Sequence, residues 1–164
     1  MKKTVFQIIT IVMLGLTLSS FTDNNLDNEN MKNQEVQDRM EIRALVDRYA
    51  LESDHYNQEG YREIFVKNLN LRIVAGEKVT EIHGVDEMVR IYKAAGAAKI
   101  SFHQVGQQVV DFTDETHAKG TTYLTALLGN EKVAQMFIRY EDKFEKIDGR
   151  WWITDRDQII VYSR

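Results

Sequence analysis

The 164-residue sequence contains no cysteine. That absence excludes thiol nucleophiles, cysteine metal sites, disulfides and the cysteine-borne lipid anchor of a bacterial lipoprotein. A domain of this length can bury enough core to do without disulfides. A basic block is also missing. Lys and Arg number 21 against 25 Asp and Glu, a formal charge of −4, which argues against nucleic acid or an anionic membrane surface as partner. There is no glycine-rich phosphate loop and no G-x-S-x-G turn, so neither NAD, ATP or flavin nor a serine nucleophile elbow is expected. The four histidines, His55, His83, His103 and His117, show neither HxxxH nor HxH spacing, which leaves a zinc site unsupported. No cofactor and no metal are expected.

Long hydrophobic runs are lacking too. The longest, Val5 to Leu18, is too short to span a bilayer comfortably. Lys2 and Lys3 precede it, and Thr17, Ser19 and Ser20 follow. This is the layout of a signal peptide over residues 1–20, so the chain is expected to be exported, periplasmic or secreted, with no membrane or lipid anchor once the signal is cleaved. Asp23 to Gln34 is rich in Asn, Asp and Glu, with only Leu26 and Met31 as sizeable apolar residues. Residues 21–35 therefore read as a flexible spacer. Residues 36–164 have the length of one domain, and loss of Lys2 and Lys3 takes the charge to −6.

In that domain, Ile42, Leu45, Val46, Tyr49 and Ala50 recur at helical spacing, which predicts an amphipathic helix over residues 36–53. A second, shorter helix is expected over residues 59–66, then a strand through Leu69, Leu71 and Ile73, a turn at Gly76-Glu77 and a strand to Ile82. Val85, Met88, Val89 and Tyr92 mark a third helix. From Ile100 the period is two. Strands are expected over 100–112, with Gly106 a candidate bulge, then 117–128, 132–147 and, after the Asp148-Gly149 hairpin signal, 150–162. These pieces predict an α+β fold. Three N-terminal helices pack on a strongly bent antiparallel sheet, forming a cone-shaped barrel with a cavity between the layers.

Three residues stand out for chemistry. His103 lies early in a central strand, where parity makes it an imidazole on an apolar cavity wall, a core histidine bonded to backbone or one exposed at a strand end. Asp54 lies near the edge of the first helix's apolar stripe, where it is either a solvated end-of-helix residue or looks into the cavity mouth; facing inward, it would fix the tautomer of His103 for work as a general base. Tyr49, in the middle of the stripe, is a hydrogen-bond donor beside them or ordinary core. Of Trp151 and Trp152, one must be core while the other lines the cavity or a subunit contact. The run Arg139, Glu141, Asp142, Lys143, Glu145 and Lys146 reads as a solvated strand face.

The order of these pieces resembles the SnoaL-like branch of the nuclear transport factor 2-like superfamily. The resemblance covers residues 38–162. It is carried by the helix from Glu41 to Ala50, by Asp54, by Ile64-Phe65, by Ile82-His83-Gly84-Val85-Asp86-Glu87-Met88, by the strand bearing His103 and by the hairpin from Tyr140 to Ile153. Among its members, bile acid 7α-dehydratase, scytalone dehydratase and hexachlorocyclohexane dehydrochlorinase are cofactor-free lyases in which a His–Asp pair removes a proton. The resemblance places that pair at His103 and Asp54 and a dehydratase tyrosine at Tyr49. An acidic residue of the bile acid enzyme's pattern is replaced by Ala126, and its late-strand arginine falls near Ile160. The resemblance thus implies a lyase or isomerase acting on a small, largely apolar molecule, steroid-like or of β-hydroxy-carbonyl type. The alternatives are a non-catalytic ligand-binding module and a homodimerisation module built on the open sheet face.

Overall fold

The structure is a computed structural model that describes residues 29–164. The signal-peptide reading and the first part of the spacer fall outside the described residues. Helix α1 covers residues 29–54 in its described part. It takes in residues 29–35, which composition assigned to the spacer. There the helix is held locally, with Gln34 Nε2 donating to Asp38 Oδ1 across one turn at 3.1 Å. The unit Arg39–Arg164 carries everything described below.

The apolar stripe of α1 behaves as its spacing requires: Ile42, Leu45, Val46, Tyr49 and Ala50 are all buried. After it comes a 3-10 helix, Gln58–Glu63, shorter than the helix expected through Val66. The chain turns into strand at Phe65 because that ring belongs to the core. It stands edge-on to Tyr49 and Tyr61 at centroid distances of 5.7 and 6.4 Å. Strand β1 (Phe65–Ala75) pairs with β2 (Lys78–His83), and helix α2 (Val85–Ala95) then leads to the far edge of the sheet. There β3 (Ile100–Phe112), β4 (His117–Gly129), β5 (Val133–Ile147) and β6 (Arg150–Ser163) form the expected meander.

The strand order is β2-β1-β6-β5-β4-β3. The sheet is mixed and open, not wholly antiparallel: the last strand, β6, enters beside β1 and runs parallel to it. This follows from the crossover through α2, which sends the meander to the opposite edge and leaves one edge of β1 for β6 to close on.

Register then arranges the inner face in rows. His103 lies opposite Ala126 and Met136, and the next row inward is Val105, Leu124, Ile138 and Ile160. Gly106 is the bulge that the sequence signalled. Pairing shifts between Val105 and Gln108, and a Cβ at Gly106 would lie 2.9 Å from the Tyr123 carbonyl oxygen. Parity therefore holds on each side of the bulge, with 101, 103 and 105 inward before it and 108, 110 and 112 inward after it. At the β5–β6 turn, Asp148 (φ 52°) and Gly149 (φ 79°) supply the two positive φ angles of a tight hairpin.

The 3-10 helix is fastened to α1 by Glu52, which is 3 % exposed. Its carboxylate pairs with Arg48 and accepts from Asn57 Nδ2 at 2.6 Å. Gly60 is needed here for space: a Cβ would stand 2.6–2.8 Å from the Glu52 carboxyl end. Gly60→Ala is expected to cost about 1–3 kcal/mol by overpacking a side chain that is tied at both oxygens. A fall in melting temperature in a thermal denaturation scan checks it.

Two readings of surface and core change. Asp142 is not on the solvated face of β5. It sits between Tyr140 and Phe144 on the inward parity and is 3 % exposed. Of the two tryptophans, Trp151 is core, edge-on to Phe112 at 5.7 Å. Trp152 is half-buried, with the Arg150 guanidinium 4.1 Å over its ring.

Candidate functional site

The last turn of α1 ends at Asp54, just before the helix breaks at Tyr56 with φ 53°. A carboxylate at a helix C-terminus faces the negative end of the dipole and needs donors from elsewhere. Strand β3 supplies them. The His103 amide donates to Asp54 Oδ2 at 2.9 Å, Ser101 Oγ donates to Oδ1 at 3.0 Å, and His103 Nδ1 meets Oδ1 at 2.6 Å. The His103 and Asp54 side chains are 8 % and 20 % exposed.

Burial works to raise the Asp54 carboxyl. The bonds from the His103 ring, the His103 amide and Ser101 outweigh it and hold the group below its usual value. Because the folded state favours the carboxylate, this group's stabilising contribution is present above the ordinary carboxyl range near pH 4 and is lost as pH falls through the depressed value. An ionised carboxylate can only accept, so Nδ1 of His103 is the nitrogen that donates to it, and in the neutral form of the ring the lone pair is on Nε2. That is the tautomer a general base requires.

Tyr49 belongs to a neighbouring aromatic cluster and bonds neither member of the pair. Its ring lies 5.2 Å from Tyr61 and 5.8 Å from Tyr140. Burial pushes the hydroxyls of Tyr61, Tyr92 and Tyr140 above the ordinary phenol value, so all three stay neutral donors through the physiological range. Ser53 joins the two groups. Its Oγ donates to the Tyr49 carbonyl at 2.7 Å and lies 3.0 Å from the Tyr61 hydroxyl, one residue before Asp54.

The sequence analysis missed two features. Arg156 and Asp142 form a bidentate ion pair at 2.7 and 2.8 Å, with side chains 0 % and 1 % exposed. The guanidinium lies 3.9, 4.7 and 5.2 Å from the rings of Tyr140, Tyr49 and Phe65. Burial opposes its charge, but Asp142 more than compensates and raises Arg156 above the usual guanidinium value. The alternation Tyr140-x-Asp142-x-Phe144 carried the signal. Ser101, two residues before His103 on the same face of β3, was equally readable from parity.

Of the other histidines, His55 and His83 are exposed, and His117 pairs with Asp114 at 3.0 Å on the β3–β4 turn. Among the described residues, no group of three or more His, Asp or Glu side chains could hold a metal ion. No helix among them is long and apolar enough to cross a membrane. Half-buried Leu128, Met136 and Ile160 share the inner sheet face with His103, and Ile91 and Tyr92 come from α2.

The sequence pattern of the SnoaL-like domain matches residues 34–157. The chain belongs to the SnoaL-like family. Its fold is similar to that of a putative scytalone dehydratase from Novosphingobium aromaticivorans, with a TM-score of 0.73 at 18% identity over 81% of this chain and 90% of that one. It is also similar to hexachlorocyclohexane dehydrochlorinase LinA-type3 from Novosphingobium barchaimii, with a TM-score of 0.70 at 12% identity over 81% and 92%. An NTF2-like protein with a cystatin-like fold from Novosphingobium aromaticivorans gives 0.68 at 18% identity over 83% and 90%. At such identities the likeness is one of fold. No curated protein sequence matches the chain.

Proposed function

We propose that this SnoaL-like protein is a cofactor-independent lyase or isomerase in which His103 is the general base. The observation that carries the reading is the 2.6 Å contact between His103 Nδ1 and Asp54. Two fold neighbours whose names denote a dehydratase and a dehydrochlorinase support it. In the elimination, Nε2 takes a proton from the carbon next to a carbonyl and that C–H bond breaks. Its electron pair becomes the new C=C bond, and the C–O bond to the β-hydroxyl breaks. The leaving hydroxide takes the proton back from His103 and departs as water. Asp54 stabilises the imidazolium formed in between, and Tyr49 donates a hydrogen bond to a substrate oxygen. The apolar side chains around His103 suit a small, largely apolar β-hydroxy-carbonyl compound, steroid-like or simpler. We also infer export of the chain, from the pattern of residues 1–20; fractionation of cells making the full chain tests it.

The test is incubation of the protein, with no cofactor added, with a panel of β-hydroxy-carbonyl compounds and hydroxy-steroids. Growth of conjugated-enone absorbance is the expected result. Ala126 stands opposite His103 and offers no acid for a leaving group, which favours one rival, a pocket that binds without turnover. Saturable binding of panel members with no product would decide for that rival.

The outer sheet face supports a homodimer. Phe102, Val109, Tyr123, Phe137, Val161 and Tyr162 are 42–61 % exposed, and Phe137 stacks on Tyr162 at 5.8 Å; exposed apolar side chains grouped on one sheet suit a subunit contact. Arg72–Asp157 and Lys143–Asp155 pairs lie on the same sheet, giving the mixed-sign rim that a two-fold contact can match. Sedimentation should show a dimer at micromolar concentration, and Phe137→Glu a monomer.

A further inference from the structure

We propose that Ser101 is a positioning residue that holds the Asp54 carboxylate toward the His103 ring; this rests on the reading of His103 and Asp54 as a working pair. Oδ1 of Asp54 is shared between two donors, Ser101 Oγ at 3.0 Å and His103 Nδ1 at 2.6 Å, while Oδ2 is taken by the His103 amide at 2.9 Å. The amide and the ring each hold one oxygen. The hydroxyl is the third donor, placed on the oxygen that meets the imidazole, and it stiffens the plane of the carboxylate and the line of that contact.

The geometry of the strand makes this possible. Residues 101 and 103 face inward side by side because the bulge at Gly106 comes after both. Ser101 Oγ also lies 3.5 Å from the Ser53 carbonyl oxygen, so the hydroxyl sits against the last turn of α1. A Ser–Asp–His set of the hydrolytic kind is excluded by the connectivity: the hydroxyl gives its proton to the carboxylate, not to the imidazole, so it is not activated as a nucleophile. The charged or titratable side chain bonded to the Asp54 carboxylate from β3 is His103 alone, and α1 contributes none to that hydrogen-bond set. The Ser101 hydroxyl adds to the donors that depress the Asp54 carboxyl.

The test uses the chain itself and needs no substrate. The titration of the Asp54 carboxyl carbon is followed by nuclear magnetic resonance in wild type, Ser101→Ala and Ser101→Thr, together with the low-field proton on His103 Nδ1. In Ser101→Ala the Asp54 midpoint moves up and the Nδ1 proton shifts upfield or broadens into exchange; in Ser101→Thr, which keeps the hydroxyl, both return toward wild type. An unchanged Asp54 midpoint and Nδ1 signal in folded Ser101→Ala overturns the proposal, whether or not a substrate is known. With a substrate from the panel, Ser101→Ala lowers kcat about ten-fold, as loss of one hydrogen bond to a charged group predicts, and leaves KM within about two-fold. If the resonances move while no panel compound turns over, the positioning role stands and the lyase reading falls.

Discussion

His103→Ala is expected to lower turnover of a panel substrate by about two to four orders of magnitude, the usual worth of a positioned general base. The loss should fall on kcat, because the imidazole acts on a proton in flight and contributes little to holding the substrate. The cavity left is modest, and circular dichroism should show the fold retained. Asp54→Asn should be nearly as damaging for a different reason. An amide at this place can donate to Nδ1 and so favour the tautomer with its proton on Nε2, the wrong nitrogen for a base. Since the two residues act as a unit, the double variant should be no worse than the poorer single one. Additive losses would mean that Asp54 does not act through His103.

Arg156→Met should produce the largest loss of stability of any single change described here. It leaves the Asp142 carboxylate buried with no partner, a change that typically costs about 3–5 kcal/mol. In a domain of this size that is a drop in melting temperature on the order of 10 °C or more. The pair itself is a different matter. Replacing both members, Asp142→Leu with Arg156→Met, removes the buried charges together and should recover much of the loss, though not the contacts of the guanidinium with Tyr140, Tyr49 and Phe65. Thermal denaturation of the two single variants and the double variant gives the coupling directly. A double variant as unstable as the worse single one would show that the pair's value lies elsewhere than in mutual neutralisation.

Most of the architecture was legible because the repeat lengths are clean. The stripe from Ile42 to Ala50 has one period and the strands from Ile100 onward another, and Asp148-Gly149 could hardly be anything but a hairpin. The end of the second helix was not legible. Tyr61, Ile64 and Phe65 fit a helical stripe as well as they fit a strand entry, and only packing of Phe65 against Tyr49 and Tyr61 separates the two. The parallel pairing of β1 with β6 was hidden as well, since nothing local to either strand specifies a partner 85 residues away, as Asn70 is from Asp155.

At the site, His103 and Asp54 were open on periodicity alone. An uncounted bulge before residue 103 would have turned the ring outward, and the bulge at Gly106 falls after it. Asp142 was misread because it stands in a run of charges. In that run the alternation with Tyr140 and Phe144 outweighs composition, since a buried Arg156 is there to meet it. Tyr49 was placed in the stripe correctly, but its ring contacts with Tyr61 and with Tyr140 on β5 join elements whose contact no spacing rule predicts.

The central claim is that His103 removes a carbon-bound proton. With a β-hydroxy-carbonyl substrate from the panel, the most direct measurement is the rate with hydrogen or deuterium at the carbon next to the carbonyl, in wild type and His103→Ala. A slower reaction of the deuterated substrate in wild type, with turnover and α-proton exchange into heavy water both lost in His103→Ala, is the result expected. Exchange that continues undiminished without the imidazole would contradict it.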